Sequence, residues 1–401
     1  METYFVQVVI SVCVLLAAAK LMAELFVRLK LPIVLGELIA GMIVGPFAIG
    51  SLIMFQGETL LQLTEEVKIL GEIGAIVILF MAGLEMTPRE FIRGGKASFT
   101  VGTLGVVVPF FVGFFIFQLF GFGAFQAMLV ATALTATSVA ISLQVLSEFG
   151  KIKTPEARLI IGAAVVDDIL AIAVLSVITS LGIGDNGVDV AEASFTIIKV
   201  LGFFAAMAVA AIFVVPRIVS SKLWKAGGAI EGIVTAAFFG AAGIAASIGL
   251  SPILGSFVVG MALASTKSFD RIENYISKLG LIFAPLFFAI IGAQVDFRGI
   301  NAEVLLMGSV IIGVAIATKL LGCGLPAWLF LRNKQQARRV GIGMISRGEV
   351  GLIVAGVGLS SGVLTSNVYS TIIIMVAVTT IITPVWLKLE YKKEVQQNPQ
   401  P

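Results

Sequence analysis

The amino-acid sequence predicts an all-α polytopic membrane protein of about thirteen transmembrane helices, built as inverted repeats of six. Three observations predict it: charge is scarce along the whole chain, apolar runs of bilayer length follow one another, and basic residues collect in every second connection. Of 401 residues, 58% are hydrophobic and 13% charged, and the mean hydropathy is +1.07. A soluble domain carries about 25% charged residues, so this chain lacks the charge to coat a water-facing surface. Lipid must be its main solvent.

Composition also excludes. Twenty-seven basic and 24 acidic residues leave a net charge of +3, too balanced for a nucleic-acid partner. Without histidine there is no His-ligated metal site and no His proton relay. Cys13 and Cys323 both lie in apolar runs, so a disulfide framework is not expected. The first apolar run is too long for a signal sequence and lacks a basic start, so it is expected to be a retained helix.

About 20 apolar residues cross a bilayer as a helix. Turn and charge clusters place the spans at 4–27, 32–54, 67–86, 97–120, 124–148, 156–182, 193–216, 227–248, 251–266, 272–295, 302–331, 336–360 and 367–387. Uninterrupted runs of this length lack the alternation of a barrel strand, so helices are the spanning element. In span 2, Pro32, Gly36, Gly41, Gly45 and Pro46 are expected to shape and pack the helix.

The distribution of Lys and Arg tests the division independently. One set of connections holds 21 of the 27 basic residues, from Arg28 and Lys30 through Arg338 and Arg339 to Lys392 and Lys393. The other set carries Glu58, Glu65, Glu66, Asp185, Asp189 and Glu192, and a single basic residue, Arg298. The N-terminus is therefore expected outside and the C-terminus in the cytoplasm of a cell-membrane protein. No connection is long enough for a soluble domain, and the tail is too short for a nucleotide-binding regulatory module.

Thirteen spans with opposite ends divide into six, a linker and six, which makes the halves inverted repeats. Such folds place their site where broken helices of the two halves meet near the midplane. The fifth span of each half is interrupted by polar and small residues: Thr135-Ala-Thr-Ser138 in span 5, and Ser346-Arg-Gly-Glu-Val-Gly351 in span 12. Both are expected to be discontinuous and to cross.

The chemistry concentrates on span 6, where Asp167 and Asp168 lie halfway along. A charge at the centre of an isolated helix costs about 2.5–3.5 kcal/mol on insertion scales. Adjacent residues diverge by about 100° around the axis, so one carboxylate can face a protein partner while the other faces a water-filled cavity. Such groups bind either protons or a hard cation, and that competition is the basis of exchange. The plainer alternative is an ion pair that only locks helices together, but buried pairs are poor stabilisers. Lys319, in span 11 and roughly 20 Å from the inner end by helical rise, is the expected counter-charge to one of the two aspartates. Its alternative is snorkelling along a tilted helix.

Thr135, Thr137 and Ser138 offer hydroxyls and freed carbonyls of the kind sodium accepts; alone, they would read as packing between helices. Arg347 and Glu349 are expected to neutralise half-helix ends or bridge neighbouring helices. Lys20, Glu24, Glu37 and Glu85 lie toward inner ends, where snorkelling or capping is the ordinary explanation, and Glu72 lies nearer the outer end of span 3.

At these residues the sequence resembles the cation:proton antiporter-2 family, in its bacterial and archaeal sodium/proton branch. The likeness is carried by Leu31-Pro-Ile-Val-Leu-Gly-Glu-Leu-Ile-Ala-Gly-Met-Ile-Val-Gly-Pro46, Phe80-Met-Ala-Gly-Leu-Glu-Met86, Thr135-Ala-Thr-Ser138, Gly162 through Asp168, and Ser346 through Gly351. The resemblance implies that Asp168 is the principal ion and proton carrier. Asp167 would pair with Lys319 in one state, and Thr137 would help bind sodium. It also implies electrogenic exchange, because electroneutral relatives have Asn before the Asp. Potassium-efflux relatives have Gln there and a large cytosolic domain.

A homodimer in the lipid bilayer is implied, with no cofactor. Residues 1–96 and 183–301 would form the dimerisation domain with its linker helix, 97–182 and 302–391 the ion-translocating core, and 392–401 a cytoplasmic tail. A potassium/proton antiporter of the same architecture is the nearest alternative, and a sodium-coupled solute symporter the next. An intramembrane aspartyl protease needs carboxylates facing each other from different helices, whereas these two are adjacent on one. A channel is disfavoured because no pore-loop motif is visible.

Overall fold

A computed structural model describes residues 2–55, 58–59, 61–183, 190–221, 223–296 and 298–397. Asp185, Asp189 and Lys222 lie outside the described residues, as do the side chains of Glu58, Glu192, Glu349 and Lys393.

Among the described residues the elements are all helices apart from one small antiparallel pairing, Met54–Phe55 (β1) with Glu58–Thr59 (β2). The first stretch contains α1 (Glu2–Arg28), α2 (Ile33–Val44) and α3 (Glu65–Leu84). Next come α4 (Pro88–Leu119), α5 (Ala124–Thr135), α6 (Val139–Glu148) and α7 (Pro155–Ile183). A middle group holds α8 (Val190–Val219), α9 (Ala229–Ser247), α10 (Pro252–Leu263) and α11 (Phe269–Ala293). Then α12 (Ala302–Lys319) runs through a π-helical turn, Leu320–Gly324, into α13 (Leu325–Leu331). The last three are α14 (Lys334–Gly343), α15 (Glu349–Ser360) and α16 (Ser366–Gln397).

Ten helical segments among the described residues are long and apolar enough to cross a membrane. The other three expected spans are helical too, as α7, as the short α10, and as the pair α14 and α15. Span 2 differs from expectation: its α-helix stops at Val44, where Gly45-Pro46 follows, because proline disfavours helical geometry in the residue before it. The last helix continues ten residues past the expected end at 387, to Gln397.

Local chemistry sets the helix starts. Thr87 and Glu90 form a reciprocal capping box at α4, and Pro88 occupies the first turn, where its missing N–H is no loss. Pro252 likewise occupies the first turn of α10, where Ser251 precedes it without a side-chain capping bond. Small residues set the packing. A Cβ on Gly41 would lie 1.9 Å from the Ala289 carbonyl oxygen, so α2 and α11 touch backbone to backbone.

Packing falls into two sets. In one, α3 lies on α10 and α11, α2 on α1 and α11, and α10 on α8 and α9. In the other, α4 lies on α5 and α7, α12 on α16, and α14 on α13 and the π-helical turn. Contacts between the sets are sparser and run through α6 against α2 and α3, α16 against α2, and α7 against α8. A cleft opens along part of this seam, lined by Glu85, Gln144, Ser147, Glu273 and Ser277 among others. The outward surfaces are apolar, with Phe5, Leu21, Phe111, Phe115, Phe195 and Phe213 exposed. This is a multi-pass membrane protein.

Candidate functional site at the crossed helix breaks

Two helix interruptions meet inside the second set. The chain leaves helical geometry at 136–138, between α5 and α6, and again at 344–348, between α14 and α15. Each break frees backbone groups that lipid cannot satisfy, and the two breaks satisfy one another. The Ser138 amide donates to the Ser346 carbonyl at 2.9 Å, and the Ser346 hydroxyl donates back to the Ser138 carbonyl at 2.7 Å. The Ser142 hydroxyl donates to the Gly343 carbonyl at 2.5 Å, and Thr380 of α16 to the Arg347 carbonyl at 2.7 Å. The backbones approach so closely that a Cβ on Gly348 would lie 2.6 Å from the Ser138 Cβ. Span 5 is enclosed accordingly: 94% of its most apolar window is buried, against 17% for α1, so its polar residues face protein and not lipid.

Asp167 on α7 lies against this crossing. One carboxylate oxygen accepts from the Thr137 amide at 2.9 Å, at the mouth of α6, where unpaired amides and the helix dipole favour negative charge. The other accepts from Lys319 Nζ at 2.9 Å, and both side chains of this pair are fully buried. Asp168 is buried too, at 6% exposure, one residue and about 100° further round α7. Arg347 is fully buried; its Nη1 donates to the Met344 carbonyl at 3.3 Å, at the end of α14, where the dipole favours a cation. Its Nε and Nη2 have no hydrogen-bond partner among the described residues.

The remaining predicted residues are placed as follows. The Thr135 hydroxyl donates to the Thr132 carbonyl within its own helix at 2.8 Å. The Thr137 hydroxyl points to the Met344 carbonyl at a long 3.4 Å, and the Ser138 hydroxyl is buried with no partner among the described residues. Glu349 opens α15. Of the outlying charges, Glu72 is exposed and Glu85 pairs with Lys153 at 3.2 Å. Glu37 departs from expectation: at 2% exposure it is sealed between helices and does not snorkel.

Three neighbours of the site, the turn after Lys319, Cys323 and Gly105, carry no sequence signal that ties them to it. The π-helical turn directly after Lys319 contains Cys323, whose thiol is buried and faces the Val101 carbonyl at 3.7 Å. Gly105 on α4 makes room for it: a Cβ there would lie 2.6 Å from Cys323 Sγ and 3.5 Å from Lys319 Nζ. The run Gly322-Cys-Gly-Leu-Pro326, glycines and a proline just beyond a buried lysine, hints at the turn without placing it at the site. Gly105→Ala is expected to force the turn away and loosen the Lys319–Asp167 contact, at about 1–3 kcal/mol. A thermal-unfolding midpoint in detergent equal to that of the unaltered protein would contradict it.

The family described as "Sodium/hydrogen exchanger, transmembrane" matches residues 12–390. The high-affinity Na(+)/H(+) antiporter NhaS3 of Synechocystis is 34% identical, over 98% of this chain and 93% of its own length. The Na(+)/H(+)-K(+) antiporter GerN of Bacillus cereus is also 34% identical, over 95% of each chain. The solved sodium proton antiporter MjNhaP1 of Methanocaldococcus jannaschii shares the fold, with a TM-score of 0.72 at 18% identity over 97% of this chain and 98% of that one.

Proposed function

The chain belongs to the sodium/hydrogen exchanger family, and on that premise we propose that it is an electrogenic secondary antiporter exchanging protons for sodium or lithium. Exchange runs by alternating access at one shared site built on Asp167 and Asp168. The observation that carries this most is the Lys319–Asp167 pair, dry on both sides and set where two broken helices cross. Removing two charges from water costs several kcal/mol for each ion. Their retention points to chemistry more than to stability.

Asp168 carries the exchanged ion. Ionised, its carboxylate, the Thr137 and Ser138 oxygens and the freed carbonyls around 136–138 form an oxygen-only donor set for a small hard cation. Protonated, it has no charge left to hold that cation, so proton and sodium occupy it in turn. Among the described residues no three Cys, Asp or Glu side chains cluster as a divalent site would require. Asp167 changes partner with the cycle: held by Lys319 in the state seen here, it is released when Lys319 gives up its proton. That second titrating pair lets more than one proton cross for each sodium. Arg347 offsets the carbonyl end of α14.

The second packing set (97–182 and 302–391) acts as a moving core. The first (1–96 and 183–301) acts as a scaffold that joins two copies into a dimer. With the N-terminus outside and the C-terminus in the cytoplasm, as the loop charges require, the cleft at Glu85, Gln144 and Glu273 opens inward and is the route from the cytoplasm.

Transport in proteoliposomes, comparing lithium, sodium and potassium across a pH series, tests this. Proton efflux driven by sodium or lithium is expected. Potassium/proton exchange is the second reading, favoured by the similarity to GerN, whose name includes potassium. It takes over if potassium drives the larger flux. Lys319→Ala is expected to reduce the charge moved per cycle and to shift the pH dependence; unchanged currents on a solid-supported membrane would remove Lys319 from the mechanism.

A further inference from the structure

Away from the ion site, one carboxylate joins the two packing sets. Glu148 is the last residue of α6, in the core, and its two oxygens reach across the seam to the start of α2, in the scaffold. Oε2 accepts from the Ile33 amide at 3.0 Å and Oε1 from the Val34 amide at 3.3 Å. These are the first two helical amides of α2, and Pro32 before them has no side-chain oxygen to cap with. A helix start is ordinarily capped by a neighbour in sequence; this one is capped from 115 residues away, and by the other body.

The surroundings are charged on both sides of the seam. Glu37 of α2 is buried at 2% exposure, its Oε2 without a hydrogen-bond partner among the described residues, and it is an electrostatic neighbour of Glu148 and of Lys20 on α1. From α16, Lys388 acts on Glu148, with Lys392 behind it. Within α6, Gln144 is an electrostatic neighbour of Glu148, and Gln144 and Ser147 both line the cleft. From α3, Glu85 lines the same cleft and is paired with Lys153.

We propose that Glu148 is a latch: as a carboxylate it clamps the first turn of α2, holds core and scaffold in the arrangement seen here, and lets go before the core moves. This rests on the moving core proposed above. Both oxygens accept, so a proton on either one converts an acceptor to a donor and removes one of the two bonds. The latch therefore holds at alkaline pH on the cleft side and loosens as that side acidifies. Gln144, which neighbours Glu148 and lines the cleft, gives water a path to it. Glu148 takes no part in carrying the exchanged ions.

Hydrogen exchange read by mass spectrometry on the purified full-length protein tests the latch without any transport. In Glu148→Gln, the Ile33 and Val34 amides are expected to exchange about tenfold faster or more, the loss of a charge-assisted bond. The segment around Asp167 and Asp168 should be unaffected. The unaltered protein should show the same acceleration on acidification, after correction for the intrinsic pH dependence of exchange. In proteoliposomes, Glu148→Gln should turn over faster at alkaline pH on the cleft side while keeping its sodium dependence. Equal protection of Ile33 and Val34 in both proteins overturns the latch. So does lost protection with an unchanged rate and pH profile. Glu148→Ala serves as the second variant, and a sodium-dependent thermal shift certifies its fold. Should the unaltered protein exchange no cation, antiport fails while the amide data still decide whether Glu148 ties α6 to α2.

Discussion

Replacing Asp168 by asparagine is expected to leave a folded membrane protein whose exchange of protons for cations is nearly abolished. Asparagine keeps the volume and the acceptor oxygen of the side chain. It has neither a proton to release near neutral pH nor a full charge for sodium. A charge-assisted contact contributes about 1.5–3 kcal/mol, so losing it at the carrying residue lowers exchange by about 100-fold. The Asp167–Lys319 pair and the Ser138–Ser346 bonds remain, so the fold persists. Dye dequenching in vesicles reads the loss, and a thermal-unfolding midpoint close to that of the unaltered protein certifies the fold. Full exchange in this variant would remove Asp168 from the transport cycle.

Asp167→Ala has the opposite character and acts mainly on stability. It strips the fully buried Lys319 of its carboxylate and leaves the Thr137 amide without its acceptor. Removing one member of a buried pair costs about 3–5 kcal/mol, because the other charge stays behind in a dry site. Arg347, buried nearby with its Nε and Nη2 unpartnered among the described residues, adds to the uncompensated positive charge. The thermal midpoint should fall by several degrees, and the double variant Asp167→Ala/Lys319→Met should recover most of it, since both charges then leave together. A double variant no more stable than Asp167→Ala would mean that the pair is not what holds α7 to α12.

Much of this was legible in the chain, and the reason is lipid. With water excluded, a polar residue in a span must have a partner, so Asp167, Lys319 and the polar interruptions of spans 5 and 12 stood out against apolar surroundings. Loop charges ordered the spans for the same reason. Helix geometry alone leaves open which aspartate holds Lys319, because adjacent residues differ only in azimuth, and azimuth is set by packing; the family resemblance is what points to Asp167. The π-helical turn after Lys319 depends on how closely α4 approaches, which glycine spacing hints at without fixing. The bond from Glu148 to Ile33 and Val34 left no local trace, since its partners are far apart in the chain and Glu148 reads as an ordinary charged helix end. Glu37 was misplaced because depth along a helix was used where depth between helices decides.

Competition of proton and cation for one carboxylate site is read by titration calorimetry. Sodium is titrated into the purified protein in buffers of different ionisation enthalpy, which gives the protons released per sodium bound. The expected result is proton release on sodium binding, weaker binding as pH falls, and no binding in Asp168→Asn. Sodium binding of unchanged strength across the pH series with no proton released, or binding that survives in Asp168→Asn, would contradict it.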